Sequence, residues 1–128
     1  MAIKVTGLEH VAVQVKDLER SLSFYQGVLG LAVRERGEFP DRGLRKVLLS
    51  AGGSEVELLE YSGVPVPEKD GPVVHIAFGV TDIAEALVGL KAAQANLEDE
   101  EPRELAGGVK IAFLRGPDGE RIELYQKA

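Results

Sequence analysis

Cysteine is absent from this 128-residue chain, and so is tryptophan. Without a thiol there is no disulfide, thiolate nucleophile, zinc finger or iron–sulfur ligand. Histidine is nearly absent too: His10 and His75 are the two copies, so imidazole chemistry is confined to those positions. Positive charge is in deficit, with 15 Lys and Arg against 21 Asp and Glu and a net charge of −6. That balance repels nucleic-acid phosphates and anionic lipid, which sets both aside as partners. No apolar run approaches the roughly 18 residues of a membrane span. Residues 1–7 lack the basic stretch and apolar run of a secretory leader. The expectation is a cytoplasmic protein. What is present, 45% apolar and 28% charged residues, is ordinary for one folded domain over 1–128.

Within that length the sequence repeats itself. His10-Val-Ala-Val-Gln-Val-Lys-Asp17-Leu-Glu-Arg-Ser-Leu22 aligns with His75-Ile-Ala-Phe-Gly-Val-Thr-Asp82-Ile-Ala-Glu-Ala-Leu87, with His, Ala, Val, Asp and Leu in register. Further on, Gly53-Ser-Glu-Val-Glu57-Leu58 aligns with Gly119-Glu-Arg-Ile-Glu123-Leu124. Each half reads as strand, helix and three strands. Alternating, valine-rich 8–15 and 73–80 predict strands. Asp17 and Asp82 stand where N-caps belong, ahead of helices carrying Leu18, Leu22, Tyr25 and Leu29 in one half and Ile83, Leu87 and Leu90 in the other. Further strands are expected near 31–37, 44–50 and 54–60, and near 97–101, 109–115 and 120–126. The Pro- and Gly-rich stretch 62–72 predicts a linker between module one, 7–61, and module two, 73–126. The fold class is α+β: two tandem βαβββ modules forming a curved mixed sheet with helices on its outer face.

Strand parity decides which side chains share a face. His10, Ala12 and Gln14 oppose Val11, Val13 and Val15, and His75, Ala77 and Gly79 oppose Ile76, Phe78 and Val80. Glu57 and Glu123 likewise oppose the apolar Val56, Leu58, Ile122 and Leu124. A lone strand histidine more often packs than ligates, but here the two histidines are equivalent positions, and so are the two glutamates. Folding alone has no use for His and Glu opposite the core. The set His10, Glu57, His75 and Glu123 therefore predicts a divalent-metal site, because two carboxylates in one cleft repel unless a cation neutralises them. Two nitrogens and two oxygens suit zinc, nickel, cobalt, manganese or iron(II).

On these residues, and on Asp17-Leu-Glu-Arg-Ser-Leu-Ser-Phe-Tyr25-Gln-Gly-Val-Leu-Gly30-Leu and Gly116-Pro-Asp-Gly119, the sequence resembles the vicinal oxygen chelate superfamily. That group includes glyoxalase, bleomycin-resistance and extradiol-dioxygenase proteins, and the four-ligand set is most similar to its glyoxalase I and methylmalonyl-CoA epimerase branches. The resemblance implies metal ligation by His10, Glu57, His75 and Glu123, with Glu57 and Glu123 also serving as base and conjugate acid. It implies a lyase or isomerase that moves a proton next to a metal-bound carbonyl or thioester of a small-molecule substrate. Glu38 is a second candidate base. Both branches stay open, as does a metal-free, drug-binding protein of the bleomycin-resistance kind. The apolar helix faces and short chain predict a homodimer.

Overall fold

The computed structural model describes residues 2, 4, 6 and 8–128, so the expected start of the first module at Gly7 lies outside the described residues. The chain forms two compact units, Met1–Val66 and Pro67–Ala128. Each holds one mixed sheet, and the class is α+β.

In the first unit, β1 (His10–Gln14) leads to α1 (Leu18–Leu22), then β2 (Ala32–Phe39), β3 (Leu44–Ala51) and β4 (Ser54–Tyr61). The sheet order is β1-β4-β3-β2, with β1 parallel to β4 and the other pairs antiparallel. The Asp17 carboxylate accepts from Arg20 N–H and starts the helix. The expected helix to residue 29 stays α-helical only to Leu22, then widens into a π-helical stretch over Ser23–Val28. Leu29 N–H donates to the Phe24 carbonyl five residues back. The wider turn lets the adjacent Phe24 and Tyr25 both bury their rings, which cross edge to face at 5.2 Å. Beneath them Val47, Leu49, Val56 and Leu58 are sealed from solvent. Each such side chain contributes about 1.5–3 kcal/mol relative to exposure.

The second unit repeats this plan. It runs β5 (Ile76–Gly79), α2 (Ile83–Ala92), β6 (Asn96–Leu97), β7 (Arg103–Glu104), β8 (Lys110–Arg115) and β9 (Arg121–Gln126). The order is β5-β9-β8-β6, with β7 also pairing β8. Asp82 caps α2 by accepting from Glu85 N–H. Ile83, Leu87 and Leu90 pack toward the buried Ala112, Leu114, Ile122 and Leu124.

Two strands differ from expectation. The strand near 97–101 is split into β6 and β7. Between them Glu98 and Asp99 N–H both donate to the Phe113 carbonyl, while the Asp99 carboxylate accepts from Phe113 N–H. A side chain therefore replaces a ladder bond, and Pro102 has no N–H to resume pairing until Arg103. The strand expected over 73–80 is also shorter: Ile76 pairs with Ile122, leaving His75 one residue outside the strand's entrance.

Candidate metal-ligand site

Register places the four candidate residues in equivalent ways. Ala12 stands beside Glu57 and Ala77 beside Glu123, with His10 and His75 each two residues earlier. In the first unit His10 Nε2 lies 3.9 Å from Glu57 Oε1. In the second, His75 Nε2 lies 3.5 Å from Glu123 Oε1. The glutamate side chains are 15% and 12% exposed, so they are shielded without being sealed. Both gaps are longer than an ordinary hydrogen bond of about 2.7–3.2 Å. Two donors bound to one ion at about 2.1 Å each stand about 3.0–3.5 Å apart at usual inter-ligand angles. The His75 pair already has that spacing and the His10 pair is slightly wider. Each unit thus brings one imidazole nitrogen and one carboxylate oxygen together, at metal-ligand spacing in the second unit and wider in the first. Among the described residues no group of three or more His, Asp or Glu side chains stands close enough together to hold an ion.

The surroundings of the two pairs differ. His10 Nδ1 is 2.7 Å from Glu9 Oε1, and that hydrogen bond raises the imidazole pKa above its ordinary 6.5. The Lys46 ammonium stands 3.7 Å from Glu57 Oε2, on the same sheet face. The equivalent of Lys46 in the second unit is the apolar Ile111. Glu55 shares the face of Glu57 but is taken by the Arg34 guanidinium, which holds its carboxyl below the usual range. In the second unit the His75 ring meets the edge of Phe113 at 5.5 Å. Arg121 lies 3.8 Å over the same Phe113 ring, with Glu98 accepting from its guanidinium.

Glu38 does not join Glu57. It pairs with Arg45 across the β2–β3 ladder, in the row that continues to Glu60, whereas Glu57 faces the other way with Leu48 and Glu35. Sequence reading missed Glu9, Lys46, Phe113 and Arg121. For Glu9 a signal existed, a carboxylate immediately before a candidate ligand. The other three depend on cross-strand register.

Two βαβββ units, each bringing an imidazole close to a carboxylate, define a duplicated α+β scaffold. The chain belongs to the glyoxalase/bleomycin resistance protein/dioxygenase superfamily, whose family model matches residues 7–124. It is 33% identical over 121 residues to the lactoylglutathione lyase of Haemophilus influenzae, covering 91% of this chain and 90% of that protein. It is 34% identical over 132 residues to the mitochondrial methylmalonyl-CoA epimerase of Mus musculus, covering 96% of this chain and 74% of that protein. Among solved structures it is similar to Leishmania major glyoxalase I, described as trypanothione-dependent, with a TM-score of 0.81 and 29% identity over 96% of this chain and 88% of that one. Among the described residues no helix is long and apolar enough to cross a membrane.

Proposed function

We propose that this chain is a divalent-metal-dependent enzyme that moves a proton at the carbon next to a carbonyl or thioester, as a glyoxalase I-like lyase or a methylmalonyl-CoA epimerase-like isomerase. The observation that carries the reading is the duplicated facing of imidazole Nε2 and carboxylate Oε1, His10 with Glu57 and His75 with Glu123. These four residues would hold the ion, and their donor types suit nickel, cobalt, zinc, manganese or iron(II). When bound, such an ion supplies positive charge that polarises an adjacent carbonyl oxygen and offsets the charge that develops on it.

The chain's own groups account for the rest. Glu57 and Glu123 are shielded carboxylates whose oxygens accept the proton from substrate carbon and return it, to a neighbouring atom in a lyase or to the opposite face in an epimerase. Lys46 beside Glu57 and Phe113 beside His75 hold their neighbours in place and limit the water around them. The site would be used by a cytoplasmic homodimer acting on a small molecule.

Lys46 also favours a second reading. A cation of the chain itself already offsets the Glu57 charge, which suits a metal-free cleft that binds a small molecule or drug. Solvent-deuterium exchange separates the two. Metal-loaded protein incubated in deuterated water is expected to label methylmalonyl-CoA next to its thioester, or to convert the adduct of methylglyoxal and glutathione. Neither event with any of the five metals would remove both named reactions.

A further inference from the structure

The two half-sites hold their histidines by different means. Aligned through the repeat, the position before His75 is Val74, which is 49% exposed and carries no polar side chain, whereas the position before His10 is Glu9. The Glu9 main chain is fixed in place by the sheet, while its side chain is 80% exposed. Its carbonyl accepts from Glu55 N–H at 3.1 Å, and the neighbouring Leu8 carbonyl accepts from the Ser54 hydroxyl at 2.7 Å. The main chain leading into β1 is thus tied to β4, the strand that carries Glu57. From that anchored position the Glu9 side chain reaches His10 Nδ1 at 2.7 Å.

An ionised carboxylate only accepts hydrogen bonds. The proton between Glu9 and His10 therefore sits on Nδ1, and the neutral ring keeps its lone pair on Nε2, the nitrogen that faces Glu57 Oε1. Without that constraint an imidazole exchanges freely between its two neutral tautomers, and only one of them presents Nε2 as a donor atom to a metal.

We infer that Glu9 is a positioning residue that locks His10 in the Nδ1–H tautomer, making it a pre-formed nitrogen ligand, while among the described residues His75 packs against Phe113 and has no such carboxylate before it. The inference rests on the metal-binding reading above. A carboxylate behind a ligating imidazole fixes its orientation and raises its donor strength, and removing one typically weakens metal affinity about 10–100-fold.

The test uses the full chain, metal-free and then titrated with Co2+ alone. Nitrogen-15 spectra of the ring nitrogens at about pH 8.5, where a free imidazole is neutral, report the tautomer of each histidine separately. Wild type is expected to hold His10 as Nδ1–H. Glu9→Ala, which removes the acceptor altogether, should release His10 toward the mixed population of a free imidazole and leave the His75 signals unmoved, which also verifies that the variant is folded. Competition with a chromophoric chelator should then show Co2+ bound at least about 10-fold more weakly by the variant. An unchanged His10 tautomer in Glu9→Ala overturns the inference, and so does a released tautomer with undiminished Co2+ affinity. Failure of the underlying reading looks different: the wild-type chain itself takes up no Co2+, which removes the proposed function and this role for Glu9 together.

Discussion

Glu60 and Gln126 occupy the same place in the two units, and each puts a side-chain oxygen 2.7 Å from the first N–H of its unit's helix, Glu60 on Leu18 and Gln126 on Ile83. Both lie three residues beyond the candidate ligand on the same strand, Glu57 or Glu123, so one strand end holds the helix while its middle holds the site. The devices differ in charge. Glu60 also accepts two hydrogen bonds from Arg45, whereas Gln126 is neutral.

That difference makes the helix anchor of the first unit pH-sensitive where the anchor of the second is not. The Arg45 guanidinium chiefly, with Leu18 N–H assisting against burial, holds the Glu60 carboxyl below its ordinary 4.5. A carboxyl with a depressed folded pKa stabilises the fold above its unfolded pKa, and that contribution is lost as pH falls through the folded value. Glu60→Gln is expected to cost about 1 kcal/mol near neutral pH, because a charge-assisted bond becomes a neutral one. The gap from wild type should close as pH drops below 4.5. Denaturant titrations of both proteins near neutral and in acid check this, and a gap of the same size in both conditions would contradict it.

Gln126→Ala should also destabilise by about 1 kcal/mol, by leaving Ile83 N–H without its partner. An amide does not titrate, so this loss should be equal in the same two conditions.

Phe113→Leu keeps a large apolar side chain but removes the ring that Arg121 covers and His75 meets. The expected cost is about 1–3 kcal/mol, from the lost cation–π contact and imperfect refilling of the space. His75 ring resonances should shift in this variant and those of His10 should not. Equal shifts at both histidines would mean that Phe113 acts on the fold as a whole and not on the His75 half-site.

Glu123→Gln retains the size and shape of the side chain and removes its capacity to accept a proton. The variant is expected to fold as wild type and to lose at least about 100-fold in solvent-proton exchange into substrate, the scale of a missing general base. Exchange at the wild-type rate would take the base role from Glu123.

Much of this was legible because the repeat makes each half a commentary on the other. His10 and His75, Glu57 and Glu123, and the N-caps Asp17 and Asp82 were found by alignment at offsets of 65 or 66. Extending the same alignment three residues past the glutamates would have found Glu60 and Gln126. Other features are set by tertiary contact and have no local signature. The π-helical stretch over Ser23–Val28 exists because Phe24 and Tyr25 both find room in the core, while helical spacing alone predicts that Leu29 continues an α-helix. Arg121 stacks on Phe113 because of a β8–β9 register that the sequence does not print. Glu38 looked like a loop carboxylate near the site, yet β2 runs on through Phe39 and pairs Glu38 with Arg45 on the face away from Glu57.

The central claim is that His10, Glu57, His75 and Glu123 together bind one divalent ion. Metal content measured on untagged protein, after chelator treatment and reloading with nickel or cobalt, tests it most directly. Wild type should retain about one ion per chain, and His10→Ala and His75→Ala should each lose most of theirs on exhaustive buffer exchange, since each variant has one fewer of the four protein donors and holds the ion more weakly. Retention of the full complement by either variant, or no uptake by wild type, would contradict the account.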